Sequence, residues 1–500
     1  MEKKQALNPY MKSWEYVPDG EPHVVDGRVY VYGSHDLFNG LNFCLGDYVC
    51  WSAPVDDLGN WKYHGVIFRR DQDPAAPKFK LTNGLAAPDM AVGPDGKYYL
   101  YYFMGGTKMI SVAVSDTPAG KYRFLGYVKY PDGTPIGKKQ EPFQFDPGIF
   151  KDDDGRLYLY TGFALTGNPI LLGGQQPTHK GPMCFEIDPE DMLTVKSGPD
   201  YIGVEGDNSE SSSYKGHPFL EASSMRKFGD SYYFIYSSKN SHELCYALGK
   251  SPRGPFSYGG VLVSDGDIGM PGVTDPAHAR MDTGNTHGSL IEIRGKYYVF
   301  YHRHSNRKQS SRQGCAEEIR FEDGKFYQAE MTSCGLNGGP LRGRGTYPSY
   351  CVCNLYGSKG TRFLSMIKYP KAGCPYLTQD GGDREEGEDQ YIANMCDGAL
   401  AGFKYFDLSQ TKKISVTVRG KAEGELSISL TEKGEAAALI RIASRGRQGQ
   451  TFSADLALPS GEKDASGKPL ISRADLYGKS ALFFRFKGTG SFDFLSFTLR

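Results

Sequence analysis

One phrase recurs five times in the first two thirds of the chain: a turn dipeptide, then alternating aromatic and β-branched residues. It reads Asp26-Gly27-Arg28-Val29-Tyr30-Val31-Tyr32, then Asp95-Gly96-Lys97-Tyr98-Tyr99-Leu100-Tyr101, then Asp154-Gly155-Arg156-Leu157-Tyr158-Leu159-Tyr160. It returns as Gly229-Asp230-Ser231-Tyr232-Tyr233-Phe234-Ile235-Tyr236 and as Arg294-Gly295-Lys296-Tyr297-Tyr298-Val299-Phe300-Tyr301. Asp-Gly is a strong signal for a tight hairpin, because a type I′ turn needs positive φ at both central residues. Each phrase is therefore expected to be the second strand of a hairpin. The equivalent tyrosines, at 30, 99, 158, 233 and 298, are 69, 59, 75 and 65 residues apart. A unit of that length holds about four short strands with loops, and radial repetition of four-stranded units makes a β-propeller. Five copies predict five blades over residues 1–325.

The remainder reads differently. Residues 326–375 are rich in Gly, Pro and Cys and predict a connecting segment. From 376 to 500 the alternation of Ile414–Val418, Leu426–Leu430, Ala438–Ile442 and Ala481–Phe486 predicts a β-sandwich. The fold class expected is all-β throughout. Residues 380–389 carry a short acidic run (Asp383, Glu385, Glu386, Glu388) that reads as a solvated loop.

Charge excludes some partners. Lys+Arg and Asp+Glu both total 58, and a chain without basic excess is not built for nucleic acid. No apolar run approaches the length of a membrane span. Residues 1–9 contain no apolar stretch of the signal-peptide kind. The ten cysteines form no CxxC pair and no zinc spacing, and they read as buried thiols of a reducing compartment. A cytoplasmic location is the expectation.

Each repeat carries an ionisable residue ten to twelve positions before its tyrosine: Asp19, Asp89, Asp146, Glu221 and His287. Innermost propeller strands begin near the axis on one face, so these five side chains are predicted to converge on one pocket. Gathered carboxylates perturb one another and divide into an acid and a base. Hydrolysis of a glycosidic bond uses that division: a protonated carboxyl for the leaving oxygen, and a carboxylate for water or the anomeric carbon. Trp14, Trp51 and Phe103 are candidates to stack on a sugar ring. Asp152-Asp153-Asp154-Gly155 lacks the other ligands of a calcium loop and reads as a hairpin turn. The loop Gln175–Asp207 is a candidate for shaping the pocket.

Several phrases together resemble glycoside hydrolase family 43, the five-bladed enzymes acting on arabinofuranosides and xylosides. They are Asn8-Pro9, Asp19 through Asp36, Ala87-Pro88-Asp89, Phe145-Asp146-Pro147-Gly148-Ile149-Phe150, Glu221-Ala222-Ser223-Ser224-Met225-Arg226-Lys227 and Thr286-His287-Gly288. The resemblance implies Asp19 as base, Asp146 as the carboxylate that tunes the acid, and Glu221 as general acid in an inverting mechanism. It implies His35, Asp36, Asp89 and Phe103 at the substrate, and His287 beside an axial calcium ion or water, with no cofactor required. The base position stays open between two residues. The internal repeat aligns Glu21-Pro22 with Asp146-Pro147, whereas the distance to Tyr30 and His35 favours Asp19.

The implied substrate is an oligosaccharide derived from plant cell wall, yielding arabinose or xylose. The C-terminal segment resembles a carbohydrate-binding module of the family 6 type, on Gly402–Asp407 and Phe486–Leu495. All three tryptophans precede residue 62, so the usual indole platform is missing there. A non-catalytic glycan-binding propeller and a retaining fructan-type hydrolase are the rival readings.

Overall fold

The computed structural model describes residues 4–78, 84–138, 141–164, 181–202, 213–365, 367–383, 390–456 and 478–500. Parts of the Gln175–Asp207 loop and of the acidic run, Glu385, Glu386 and Glu388 included, lie outside the described residues. Four antiparallel four-stranded sheets follow one another along the chain. The first holds β1 (Glu21–Val25), β2 (Arg28–Tyr32), β3 (Tyr48–Pro54) and β4 (Lys62–Phe68); the second β5 (Leu85–Val92), β6 (Tyr98–Met104), β7 (Ile110–Ser115) and β8 (Arg123–Tyr127). The third holds β9 (Gly148–Lys151), β10 (Leu157–Thr161), β11 (Met183–Ile187) and β12 (Val195–Tyr201); the fourth β13 (Phe219–Phe228), β14 (Ser231–Ser238), β15 (Glu243–Gly249) and β16 (Phe256–Ser264). A fifth sheet of β17 (Ser289–Ile293), β18 (Lys296–His304) and β19 (Arg312–Glu318) completes a five-bladed propeller.

The repeated phrase is the second strand of every blade, as expected. Its alternation works on both faces, since successive side chains of a strand point to opposite sides. Val29 and Val31 of β2 pack with Ile291, Tyr298 and Phe300 of the fifth blade, whereas Tyr30 and Tyr32 pack with Leu100 and Tyr102 of the second. The same split on β6, β10, β14 and β18 fills the remaining gaps between blades. Each fully buried large side chain there contributes roughly 1.5–3 kcal/mol. The N-terminal segment closes the ring beside β19: the Tyr10 amide donates to Gly314 O at 3.3 Å, and Asn8 exchanges bonds with Ala316 at 3.1 Å each.

The turns are less uniform than their sequences. Asp26-Gly27 and Arg294-Gly295 have positive φ at both residues, whereas only the glycine does in Asp95-Gly96 and Asp154-Gly155. The latter two sit in loops longer than two residues, where the type I′ constraint does not apply. The expected hairpin turn at Asp152–Gly155 is present: Asp152 N donates to Arg156 O at 2.9 Å and Gly155 N to Asp152 O at 3.0 Å.

Beyond the propeller the sheet is consistent with a β-sandwich. Two expected strands are one: Lys413–Ser429 runs continuously, with a register shift at Val418 and Gly420 that lets it bend. It pairs along most of its length with Ser480–Leu499. The segment expected to be a mere connector contributes strands of its own. Gly345–Pro348 pairs with Ser496–Leu499, and Asn354–Tyr356 with Leu400–Gly402. Their short, Gly- and Pro-broken pattern hid them. One continuous apolar core joins the fourth and fifth blades to the sandwich, from Tyr233 and Tyr301 to Phe403 and Phe497. All ten cysteines are free thiols, eight of them buried.

Candidate active site

Strand pairing defines which residues of the blades are equivalent. Glu21, Asp89, Gly148, Ser224 and Ser289 each face the residue two places after the repeat tyrosine, namely Tyr32, Tyr101, Tyr160, Ile235 and Phe300. Two residues earlier stand Asp19, Ala87, Asp146, Ala222 and His287. The predicted set is thus not one ring. Asp89 belongs to the deeper ring with Glu21, and the matching upper position in the second blade is Ala87. The alignment of Glu21-Pro22 with Asp146-Pro147 is likewise two residues out of register, because Glu21 matches Gly148.

The upper positions carry unusual backbone. Asp19, Ala87, Asp146 and Ala222 have φ of 57, 36, 46 and 67°, a left-handed conformation that non-glycine residues adopt only where the surroundings enforce it. At Asp19 and Asp146 it starts the innermost strand with the carboxylate on the cavity. Glu221 reaches the same cavity differently: register shifts on both sides of it bulge β13, and Ala222 takes the left-handed turn. Bulges re-aim side chains in this way.

The deeper ring is closed on itself. Ser224 Oγ donates to Glu21 Oε2 at 3.1 Å and lies 2.8 Å from Ser289 Oγ, while Arg226 pairs with Glu21. Asp89 accepts from the Ile149 amide at 2.8 Å and bonds His23 Nε2 at 2.7 Å. Neither Glu21 nor Asp89 lines the cavity. Asp89 is a tie between the first three blades, not a substrate contact.

The cavity has a volume of about 550 Å³. Asp19, Asp146, Glu221, His287 and Arg312 line its floor, and Phe43, Phe103, Phe145, Phe163 and Phe363 its apolar wall. Phe103 therefore sits where expected, against Phe145 at 5.0 Å between ring centroids. His35 and Asp36 do not line it. His35 is held by Asp47 O (2.8 Å) and Glu15 (3.1 Å). Asp36 accepts a two-pronged bond from Arg312, at 2.8 Å from Nε and 3.0 Å from Nη2. Asp36 acts through Arg312, whereas His35 ties Glu15 to Asp47 outside the cavity. Trp51 donates to Glu15 at 2.7 Å and packs with Trp14, so neither indole faces the cavity.

The floor carboxyls have opposed protonation. Burial pushes the Asp19 pKa up, but Arg312 Nη1 at 3.0 Å outweighs it and holds the group well below the usual carboxylate range. Glu221 is raised to about 8, first by burial and then by the charge of Asp146. Its carboxyl makes no hydrogen bond among the described residues. Asp146 is itself raised by burial, against the opposing pull of His287, whose Nδ1 lies 3.5 Å away. Burial lowers His287, yet Asp146 and Asp19 lift it to about 9, so the ring is an imidazolium at neutral pH.

The expected axial calcium would take mostly oxygen ligands, and His287 stands beside two carboxylates that could supply them, Asp146 at 3.5 Å and Asp19 at 4.0 Å. Among the described residues, two groupings bring three ligand atoms within 4.8 Å of one another, Glu21-His23-Asp89 and His217-Glu243-Cys245, and His287 is in neither.

Sequence reasoning missed Arg312 and His302. Both sit on fifth-blade strands, far in sequence from Asp19, which they contact. The available signal was an arginine opening a strand that otherwise reads as core. Asn285, whose carbonyl accepts from His302 Nε2 at 2.9 Å, carried none.

Comparison with known proteins then decides the family. The model of glycosyl hydrolases family 43 matches residues 17–326. The chain belongs to this family. A Xylosidase/arabinosidase from Thermoclostridium stercorarium is 46% identical over 500 residues, covering 99% of both chains. A second Xylosidase/arabinosidase, from Bacteroides ovatus, is 30% identical over 324 residues, covering 59% of this chain and 87% of its own. Among solved structures, a family 43 β-xylosidase/α-arabinofuranosidase from a compost microbial metagenome, in complex with xylotriose and calcium-free, superposes with a TM-score of 0.50. It is 28% identical and covers 65% of this chain and 98% of that one. The family 43 chain described here is a glycosyl hydrolase.

Proposed function

We propose that this family 43 enzyme is an inverting hydrolase that releases α-L-arabinofuranose or β-D-xylose from plant-cell-wall-derived oligosaccharides. The observation that carries the reading is the opposed protonation of two carboxyls on one cavity floor: Asp19 ionised by Arg312, Glu221 neutral beside Asp146. Asp19 takes a proton from water as that water attacks the anomeric carbon. Glu221 gives its proton to the leaving oxygen as the glycosidic C–O bond breaks, and the configuration at the anomeric carbon inverts. Burial, and after it the charge of Asp146, keeps Glu221 protonated near neutral pH, and His287 keeps Asp146 in place. Glu21 is the weaker candidate for base, because it does not reach the cavity and its Oε2 is engaged by Arg226 and Ser224. The xylosidase/arabinosidase relatives support the sugar class. The sandwich reads as a family 6 type carbohydrate-binding module, on the two phrases that form its Leu400–Asp407 and Ser480–Leu499 strands.

The test is hydrolysis of 4-nitrophenyl α-L-arabinofuranoside and β-D-xylopyranoside and of xylotriose by wild type and Glu221→Gln, with proton NMR of the first-formed anomer. Loss of roughly 10²–10⁴-fold on xylotriose is expected from removing a general acid, with a smaller loss on the nitrophenyl leaving group. A product of retained configuration would overturn the mechanism.

A further inference from the structure

Two histidines of β18 share one carbonyl. His302 Nε2 lies 2.9 Å and His304 Nε2 2.8 Å from Asn285 O, two residues before His287. A carbonyl oxygen only accepts, so Nε2 of His302 carries a ring proton. The ring is fully buried, and burial lowers its pKa ahead of the opposing pull of Asp19. A neutral ring protonated at Nε2 has a bare Nδ1.

That bare nitrogen faces Asp19. The Asp19 amide donates to Nδ1 at 3.4 Å, and Oδ1 of the same residue lies 3.2 Å away, where Nδ1 has no proton to give it. The amide belongs to a residue with φ of 57°, a conformation that its surroundings must enforce. The next residue is tied to the fifth blade as well, since Gly20 forms a bridge to Gly288. On the carboxylate, Oδ1 accepts from Arg312 Nη1 at 3.0 Å. Oδ2 has no hydrogen-bond partner among the described residues, and Asp19 lines the cavity. The two oxygens are therefore unequal, one anchored and one open.

We propose that His302 is the positioning residue of the base, an inference that rests on the reading of Asp19 as the group that activates water. It grips the Asp19 amide from the acceptor side. That grip fixes the left-handed backbone and the direction of the carboxylate, with Oδ2 as the atom that takes the proton from water. A donor in the place of Nδ1 would bond the charged carboxylate and weaken it as a base. An acceptor holds the residue without that cost.

Two replacements separate this role from packing. Glutamine places its amide nitrogen near the Nε2 position and keeps the bond to Asn285 O, but offers nothing at Nδ1. Asparagine places an oxygen near the Nδ1 position and keeps an acceptor for the Asp19 amide. The substrate is whichever nitrophenyl glycoside wild type cleaves, since its leaving group needs little help from Glu221. On it His302→Gln should lose roughly 10–100-fold in kcat, the order of cost for a misplaced reacting group, and His302→Asn should recover at least about fivefold of that. Thermal unfolding shows that both variants fold. Azide needs no base: its nitrogen bonds to the anomeric carbon as the nitrophenolate leaves, with inversion. Azide should therefore raise the rate of His302→Gln and of Asp19→Gly severalfold, with the inverted glycosyl azide seen by proton NMR. With Asp19→Gly impaired and restored by azide, three results overturn the proposal alone: His302→Gln close to wild type, a His302→Gln loss that azide does not relieve, or His302→Asn no better than His302→Gln. An Asp19→Gly variant that stays active, or that azide does not restore, removes the base assignment and His302's role with it.

Discussion

Arg312 Nη1 lies 3.0 Å from Asp19 Oδ1 while the same guanidinium is forked onto Asp36. One buried cation thus compensates two buried carboxylates, and only one of these faces the cavity. Asp36 keeps the arginine planar and fixed, and the third nitrogen is left to hold Asp19 ionised. The strand-opening position of Arg312 on β19, beside the ring closure, makes this charge dependent on the fifth blade meeting the first.

Replacing Arg312 by Met should therefore do two things. It leaves Asp19 and Asp36 buried without their partner, and losses of about 3–5 kcal/mol are typical when one member of a buried pair is removed. Denaturant unfolding measures that. It also removes the largest force that opposes burial at Asp19, so the acid limb of kcat/KM should move to higher pH. Arg312→Lys keeps the charge without the fork and should shift the limb less. An unshifted limb in both variants would remove Arg312 from control of the base.

Asp19→Asn and Glu21→Gln separate the two candidate bases. Asp19→Asn should lose about 10²–10⁴-fold in kcat, whereas Glu21→Gln should stay within roughly tenfold. Glu21 has a second signature. Burial raises its pKa to about 7, only partly offset by Arg226. A carboxyl raised on folding contributes stability below its ordinary pKa, and that contribution is lost as pH rises through about 7. Unfolding free energies at pH 5 and pH 8 should thus converge in Glu21→Gln relative to wild type. A larger activity loss in Glu21→Gln than in Asp19→Asn would exchange the roles.

The propeller was legible because its signal repeats: five tyrosine phrases with buried alternate faces leave few other architectures. The floor carboxylates were legible for the same reason, but only to within two residues. Loop lengths between carboxylate and tyrosine vary with bulges, so counting back ten to twelve positions merged Asp89 of the deeper ring with Asp19 of the upper one. Asp36 follows a family phrase closely and yet serves the site only through Arg312, while His35 of the same phrase ties Glu15 to Asp47 away from the cavity. Arg312 left only a lone arginine at the start of a core-like strand and Phe363 left no pattern, since neither lies within a repeated phrase.

Asp146→Asn tests the tuning of the acid. Asp146 is the charge that, after burial, raises Glu221 to about 8. Removing a like charge favours ionisation of its neighbour. The basic limb of the pH profile, expected near 8 in wild type, should shift downward in Asp146→Asn, with the acid limb retained because Arg312 still holds Asp19. His287→Asn should displace Asp146 and lower activity without moving the acid limb upward by more than a fraction of a unit. A basic limb that stays near 8 in Asp146→Asn would assign the raised pKa to burial alone.

Phe363 brings the sandwich side of the chain to the catalytic cavity. It is 39% exposed and lines the cavity, on a segment tied to the propeller by Leu364 N to Thr283 O at 2.6 Å and Arg362 N to Asp282 at 2.8 Å. An exposed ring at a cavity lined by four other phenylalanines suits a sugar beyond the one being cleaved. An aromatic contact of this kind is worth about 0.5–1.5 kcal/mol, or roughly two- to tenfold in affinity. Phe363→Ala should raise KM for xylotriose by that factor with kcat nearly unchanged, leave the nitrophenyl glycosides within twofold, and be rescued by Phe363→Tyr. Equal losses on short and long substrates would place the defect in the fold of the segment instead of in sugar contact.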